Sequence, residues 1–259
     1  TLSLEGCDLT CEYDYAVVDI SESGTVATIS GCCIHDGAGS GVFIHDGASA
    51  TLENNNIDSN TLAGVEVRDE GSKVVLRGNR IHDGKQGGVL ICEGASATFE
   101  NNDIHSNNDA GVGVQDAGSK AELTNNRIYD GKAGGVFICD GASATLENNS
   151  IHSNTLAGLQ VRDEGSKVVL RGNRIHDGKA GGVFIHAGAS ATLENNNIHS
   201  NTLCGVEVKD EGSEAVLRGN SIHGGKESGV GIYDRASATL ENNTITDNDL
   251  EGVDIDDHS

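Results

Sequence analysis

The chain repeats itself every 23 or 24 residues along nearly its whole length. A small apolar residue, usually a valine that follows glycine, marks each repeat, and the steps between successive marks alternate between 23 and 24 residues. The marks are Val18, Val42, Val65, Val89, Val112, Val136, Leu159, Val183, Val206, Val230 and Val253. A repeat of this length is typical of solenoid proteins, in which each repeat packs only against its neighbours.

Each repeat contains three short runs in which apolar residues alternate with polar ones. In one repeat the runs are GVFI at 41–44, ATLEN at 50–54 and NNI at 55–57. Turn-forming Gly, Asp, Ser and Asn separate them. Strand side chains alternate between two faces, so Val42, Leu52 and Ile57 are predicted to point to the same side. Three short strands per repeat predict a parallel β-helix.

The predicted fold is all-β: a single right-handed parallel β-helix of about ten to eleven coils, with the handedness taken from the crossover rule. Residues 1–259 form one predicted domain, in which 1–20 is a partial or capping coil and 253–259 is a partial coil. The chain has no Pro, Met or Trp and only 4 Tyr and 4 Phe, so Val, Ile, Leu and Ala must fill the core. Leucine-rich repeats are excluded because their LxxLxLxxN signature is absent.

One polar column is predicted to lie inside the coil. It consists of Asn55, Asn79, Asn102, Asn126, Asn149, Asn173, Asn196, Asn220 and Asn243. A side-chain amide carries donors and an acceptor, so stacked asparagines can bond to one another and to the turn backbone. Cys7 and Cys32 occupy the same column, either as a disulfide or as buried free thiols.

A second polar column, here called the acidic row, follows the first strand run of each repeat. Its members are Asp46, Asp69, Glu93, Asp116, Asp140, Asp163, Asp210, Asp234 and Asp257, with Ala187 in one position. Like charges at the strand spacing repel each other, so the row needs an explanation. Either each acid caps its own turn through backbone N–H groups, or the row binds Ca²⁺ or a basic partner. Apart from Ca²⁺ as one alternative for this row, no cofactor is predicted.

A third column, here called the histidine row, follows the NNI run and is predicted to face outward. It consists of His35, Asp58, His82, His105, Tyr129, His152, His176, His199 and His223. Three or four ligands from one straight column converge on zinc only with difficulty. The row is therefore predicted to be a contact face, and its imidazoles would make it pH-sensitive.

The formal net charge of −23 excludes several partners. Nucleic acids and anionic membranes require clustered cations, and no apolar stretch is long enough to span a membrane. The charge suits a basic protein or a divalent cation. The seven cysteines follow no zinc-binding spacing and favour a reducing, intracellular compartment, although nothing in the sequence fixes the localisation.

Catalytic residues are not predicted, because no repeat carries a unique cluster of acid, base and cation. A non-catalytic role is therefore favoured over an enzymatic one. The rings available to stack on a sugar are Phe43, Phe137, Phe184, Tyr129 and Tyr233.

Two stretches carry a family resemblance. LRGNRIHDGKQGGVLI at 76–91 and LENNSIHSNTLAGLQV at 146–161 resemble the repeats of the β-helix domain, of the carbohydrate-binding and sugar-hydrolase type, of F-box proteins. The resemblance implies substrate recruitment for a ubiquitin ligase. Related repeats also occur in bacterial periplasmic proteins and polysaccharide epimerases.

These observations favour a rigid, non-catalytic scaffold that binds a basic protein through the acidic and histidine rows. One alternative is a protein that binds or modifies a polysaccharide, in the manner of a lyase or epimerase. Another is a structural subunit that assembles end to end.

Overall fold

The computed structural model describes residues 1–256, which form 33 strands and no helix. The strands make three parallel sheets of 11 strands each, here called sheets A, B and C. Each coil supplies one strand to sheet A, then one to B, then one to C. The prediction of a right-handed parallel β-helix is confirmed, with eleven coils.

Sheet A consists of β1 Leu2–Glu5, β4 Val26–Ser30, β7 Ser49–Glu53, β10 Lys73–Arg77, β13 Ser96–Glu100, β16 Lys120–Thr124, β19 Ser143–Glu147, β22 Lys167–Arg171, β25 Ser190–Glu194, β28 Glu214–Arg218 and β31 Ser237–Glu241. Sheet B consists of β2 Asp8–Leu9, β5 Cys33–His35, β8 Asn56–Asp58, β11 Arg80–His82, β14 Asp103–His105, β17 Arg127–Tyr129, β20 Ser150–His152, β23 Arg174–His176, β26 Asn197–His199, β29 Ser221–His223 and β32 Thr244–Thr246. Sheet C consists of β3 Val18–Ile20, β6 Val42–Ile44, β9 Val65–Val67, β12 Val89–Ile91, β15 Val112–Val114, β18 Val136–Ile138, β21 Leu159–Arg162, β24 Val183–His186, β27 Val206–Lys209, β30 Val230–Tyr233 and β33 Val253–Asp256.

The two ends of the chain join the same three sheets. Residues 2–20 supply β1, β2 and β3, and β33 is the last strand of sheet C. The acidic-row member Asp257, and the end of the predicted C-terminal partial coil, lie outside the described residues.

The core consists of stacked columns of identical or similar residues. Ile81 pairs in register with Ile57 on one side and Ile104 on the other, and all three are fully buried. Phe99 lies in the neighbouring leucine column, where it is also fully buried. Burying one such side chain contributes about 1.5–3 kcal/mol, so the period of the sequence both sets the register and supplies the core.

The asparagine ladder is present inside the turn between sheets A and B. Asn102 Nδ2 donates to Asn126 Oδ1 over 2.9 Å and to the Leu76 carbonyl over 2.8 Å. Equivalent bonds run from Asn55 to Asn243. At the N-terminal end the Cys32 N–H donates to Asn55 Oδ1 over 2.9 Å, and all seven cysteines are free thiols.

The coils approach one another closely in the turns that precede sheet C. A Cβ added to Gly88 would lie 2.5 Å from the Gly111 carbonyl oxygen, closer than real Cβ atoms come to backbone. From Val42 onward, the glycine before each marker residue therefore lets adjacent coils approach this closely. The turns from sheet B to sheet C are six residues long from β5 onward, and turns this short leave the outer surface of sheet C open along the rod.

Candidate functional site

The acidic row lies in the turns between sheets C and A, where its residues adopt left-handed backbone conformations. Asp46 has φ 52° and Asp69 has φ 71°. Asp69 Oδ2 accepts the backbone N–H of Asp46, on the preceding coil, over 3.0 Å. The same bond joins Asp116 to Glu93, Asp163 to Asp140 and Asp210 to Ala187. Alternate acids therefore cap the turn of the preceding coil, rather than each acid capping its own turn.

Acids of this row belong to two groups of three potential metal ligands, and within each group the ligand atoms lie within 4.8 Å of one another. One is His45, Asp46 and Asp69, and the other is Cys139, Asp140 and Asp163. In the second group, burial and the neighbouring carboxylate of Asp140 raise the pKa of Cys139 to about 12, so the sulfur stays a neutral thiol. A neutral thiol is a poor metal ligand. Calcium binding by the acidic row remains a prediction.

The histidine row forms a continuous stack on the outer side of sheet B. Seven rings, from His82 through Tyr129 to His223, stack with centroids 4.8–5.1 Å apart. Their planes are within 21° of parallel. Imidazole lone pairs lie in the ring plane, so neighbouring nitrogens in such a stack do not converge on a shared zinc ion. The row faces outward as predicted. Neighbouring rings cover one another's faces, so the ring edges are the surface that remains available for contact.

Neighbouring histidines in this stack have different partners. His176 Nδ1 bonds to Asp177 over 2.7 Å. His199 instead accepts the Arg174 Nε–H at Nε2 over 3.0 Å, and its Nδ1 bonds to Ser200 over 3.1 Å. Burial lowers the pKa of His199, and the neighbouring His176 and Arg174 lower it further. The stack therefore holds some of its imidazoles neutral beside others that are paired with aspartate.

The outer side of sheet C differs from the other two surfaces because its side chains do not repeat regularly. Phe43, Phe137 and Phe184 lie in the central column of this sheet, whereas Phe99 points into the core. Tyr233 lies on the same surface in the next column. Of the five rings predicted as sugar contacts, only Tyr129 lies elsewhere, in the histidine row.

The first of two side-chain clusters on this surface is the N-terminal cluster, formed by Phe43, His45, Glu66 and Arg68. The Phe43 and His45 rings stack with centroids 4.3 Å apart. Glu66 is buried and accepts hydrogen bonds from Ser40 and Arg68, both over 2.6 Å. The Arg68 guanidinium lies 5.9 Å from the centroid of Phe43, within cation–π range. A cleft of about 300 Å³ opens beside these side chains.

The second cluster, here called the C-terminal cluster, is formed by Phe184, His186, Glu207 and Lys209. The Phe184 and His186 rings stack with centroids 4.2 Å apart. Burial raises the pKa of the Glu207 carboxyl, although the Lys209 ammonium acts in the opposite direction. Lys209 Nζ lies 3.5 Å from Asp234. Half-buried titratable groups gathered in this way are typical of ligand and catalytic sites.

The sequence prediction missed the polar members of both clusters. Glu66, Arg68, Glu207 and Lys209 were not singled out, because each belongs to a repeat that otherwise matches its neighbours. A usable signal was present: these positions change from repeat to repeat, whereas most of the corresponding positions on sheets A and B either stay the same or alternate between two residue types.

The fold and its register define a class of protein. The family model for the right-handed beta helix region matches residues 16–169 and 116–259. The chain belongs to this family. No helix among the described residues has the length and apolarity to cross a membrane.

Three solved structures illustrate the similarity. The A-module of the mannuronan C-5 epimerase AlgE4 from Azotobacter vinelandii is 16% identical, with a TM-score of 0.62 over 98% of this chain and 88% of that one. The pectate lyase Pel9A is 14% identical, with a TM-score of 0.54 over 95% and 70%. PfbA, a surface adhesin of Streptococcus pneumoniae, is 11% identical, with a TM-score of 0.53 over 97% and 85%.

At these identities the similarity establishes the fold alone. A comparison with curated proteins finds no match. The comparisons support the β-helix family and give no support to the more specific resemblance to F-box proteins.

Proposed function

We propose that this protein binds an extended glycan along the outer side of sheet C. The observation that carries the proposal is the single column that contains Phe43, Phe137 and Phe184, the three outward-facing phenylalanines. Aromatic rings that are apolar on one face and bordered by polar groups suit the ring faces and hydroxyls of sugars. The short turns leave this column open from coil to coil, so a linear polymer can lie along it.

The groups beside the rings favour the same ligand class. The guanidinium of Arg68 lies over Phe43, and that of Arg162 lies 5.2 Å from the centroid of Phe137. Carboxylates and guanidinium groups beside a ring supply the acceptors and donors that bind hydroxyl groups. The structural relatives that act on mannuronan and pectate are consistent with a carbohydrate ligand.

Affinity electrophoresis through gels containing soluble polysaccharides tests the proposal. The unmodified protein should be retarded by at least one polysaccharide, and a variant with all three phenylalanines replaced by alanine should migrate freely. Tyr129→Ala is the matched control, because it removes an aromatic ring from sheet B and should leave the retardation unchanged. Equal migration of the protein in all gels, or unchanged retardation of the triple variant, would contradict the proposal.

Modification of the glycan is a second candidate, favoured by the groups around Glu207. Tyr233 donates to Asp254 over 2.9 Å, and burial raises the pKa of both Tyr233 and Glu207. A carboxyl with a raised pKa is suited to general acid–base work near neutral pH. New reducing ends or epimerised sugars after incubation with a bound polysaccharide, and their loss in Glu207→Gln, would support this candidate.

Binding of a basic protein, including recruitment for a ubiquitin ligase, is the remaining candidate. It rests on the exposed carboxylates of the acidic row, such as Asp46, whose side chain is 64% exposed. Triple substitution of Asp116, Asp140 and Asp163 by lysine should then abolish salt-sensitive capture of a partner. Capture that survives this charge reversal would exclude the acidic row as the contact surface.

A further inference from the structure

The two clusters on sheet C place the same kinds of side chain at corresponding positions. In each, a phenylalanine stacks on the histidine two residues later, with centroid distances of 4.3 and 4.2 Å. In each, the next coil places a glutamate in register with the phenylalanine: Glu66 beside Phe43, and Glu207 beside Phe184. A cation follows two residues after each glutamate, as Arg68 and Lys209.

The column between the clusters fixes their separation. It runs from Phe43 through Glu66, Leu90, Gly113, Phe137 and Gln160 to Phe184. Six coils at the strand spacing of roughly 4.8 Å place the two phenylalanines about 29 Å apart. Both rings face the same side of one rigid sheet, so their separation is fixed by the fold.

The arrangement is not an automatic result of the repeat. Phe137 occupies the same column, but Cys139 stands where the clusters have histidine, and Gln160 stands where they have glutamate. The stacked pair and the glutamate are thus absent from this intermediate position. They occur together only in the two clusters among the described residues.

We propose that the two clusters are copies of one sugar subsite and that a single extended, neutral glycan chain occupies both. The inference rests on the proposed glycan-binding function. In each subsite the phenylalanine and histidine provide an aromatic surface, the carboxylate accepts bonds from hydroxyls and the cation donates to a hydroxyl. Within each cluster the glutamate and the cation balance, but Asp19 beside His45, Asp234 beside Lys209 and the acidic row add negative charge that repels a polyanion.

The copies differ in how their carboxylates are held. Ser40 and Arg68 both bond to Glu66, whereas no hydrogen bond or ion pair joins Glu207 to another described residue. The C-terminal subsite therefore offers a carboxylate that is free to bond to the ligand. We expect it to be the stronger of the two.

Calorimetric stoichiometry separates two subsites from one. The probes are cellotriose, xylotriose and mannotriose, each too short to bridge the clusters. The trisaccharide that binds should saturate at two molecules per protein. Phe43→Ala and Phe184→Ala should each saturate at one, and the double variant should bind none. The matched control is Tyr129→Ala, which removes an aromatic ring from sheet B and should keep two.

A polysaccharide of the same sugar tests the bridging. Two linked subsites raise the affinity of a bridging ligand by roughly 100-fold or more over a single subsite. Each single variant should therefore lose about 100-fold in affinity for the long chain but not for the trisaccharide at its intact site. Polygalacturonate, a polyanion, should bind more weakly than the neutral polymer.

The outcomes distinguish this inference from the proposed function. Binding of glycan with one trisaccharide per protein, or loss of a site in Tyr129→Ala, overturns the two-subsite arrangement and leaves glycan binding intact. Tighter binding of polygalacturonate overturns the choice of a neutral ligand. Failure of every saccharide to bind overturns both. Circular dichroism of each variant confirms that its coil is folded.

Discussion

At the scale of single residues, Asn107 and Asn108 are chain neighbours in opposite environments. Asn107 is buried; its Oδ1 accepts the Gly84 N–H over 3.0 Å and its Nδ2 donates to the Ile81 carbonyl over 3.3 Å. Asn108 is exposed. Equivalent bonds occur at Asn60, Asn154, Asn201 and Asn248, and form a second ladder on alternate coils.

We expect Asn107→Ala to lower the free energy of unfolding by about 2 kcal/mol, because it leaves the buried Gly84 N–H without its partner and removes a bond to the Ile81 carbonyl. Asn108→Ala should change it by less than about 0.5 kcal/mol, as exposed substitutions do. Urea denaturation followed by circular dichroism measures both. Equal effects of the two substitutions would show that the second ladder does not stabilise the fold.

Ala187 is a residue whose backbone conformation is unfavourable for its side chain. It occupies the one position of the acidic row without an acid, with φ 53° and an exposed side chain. An L-residue in this region costs about 1–2 kcal/mol, and glycine avoids that cost. Ala187→Gly should therefore raise the free energy of unfolding by about 1 kcal/mol.

The control for this prediction is Ala117→Gly. Ala117 is also exposed and follows an acidic-row residue, but its φ is not positive. This change should lower the free energy of unfolding, since glycine only adds backbone freedom to the unfolded chain. A decrease in both variants, measured by thermal denaturation, would contradict the argument for Ala187.

The sequence predicted the single-residue environments that recur in every repeat and missed the position of Asn107, which recurs in every second one. The Ile57 column and the Asn102 ladder follow from position alone, because every coil has the same kind of residue there. Asn107 alternates with Gly84 along the stack of coils. A Cβ added to Gly84 would lie 3.0 Å from Asn107 Oδ1, so the glycine leaves room for the amide. That complementarity is visible only once the coils are stacked.

At the scale of elements, the histidine stack on sheet B couples stability to pH. Burial lowers the pKa of His152 below its ordinary 6.5, and the neighbouring His176 lowers it further. The folded chain then binds fewer protons than the unfolded chain just below pH 6.5. The contribution of neutral His152 to stability is complete above pH 6.5 and decreases as the pH falls towards the folded-state pKa.

We expect His152→Phe to reduce this loss of stability in acid. Phenylalanine keeps a ring in the stack but takes up no proton, and the bond that it removes is the one between Nδ1 and Ser153. The denaturation midpoint of the variant should therefore change less between about pH 7 and pH 5 than that of the unmodified protein. A steeper acid decline in the variant would contradict the lowered pKa of His152.

The clusters on sheet C show which features of a strand the repeat pattern predicts and which it does not. The repeat identified Phe43 and Phe184 as outward-facing, because they follow the inward-facing valines. It did not connect Glu66 with Ser40, 26 residues away, since that bond depends on the detailed path of the turn before sheet C. Outer surfaces are not constrained by the core, so their function must be read from departures from the repeat.

At the scale of the whole molecule, the rod carries 40 acidic and 17 basic side chains. Two effects of salt oppose each other. Salt weakens the ion pairs of sheet A, in which Arg77 and Arg171 each bridge glutamates of the two adjacent coils and Arg218 pairs with Glu241. It also screens the repulsion among all the unpaired carboxylates. The pairs are few and exposed, and such pairs contribute little.

Net repulsion should therefore dominate. Raising NaCl from about 0.01 M to 0.15 M shortens the Debye length from about 30 Å to about 8 Å, well below the rod length of about 50 Å. Charges on distant coils stop repelling one another, so the melting temperature should rise by several degrees. Scanning calorimetry at constant pH measures this change, with an equal osmolarity of glycine as an uncharged control. A melting temperature that falls with added NaCl would mean that the ladder of ion pairs on sheet A outweighs the net charge of −23.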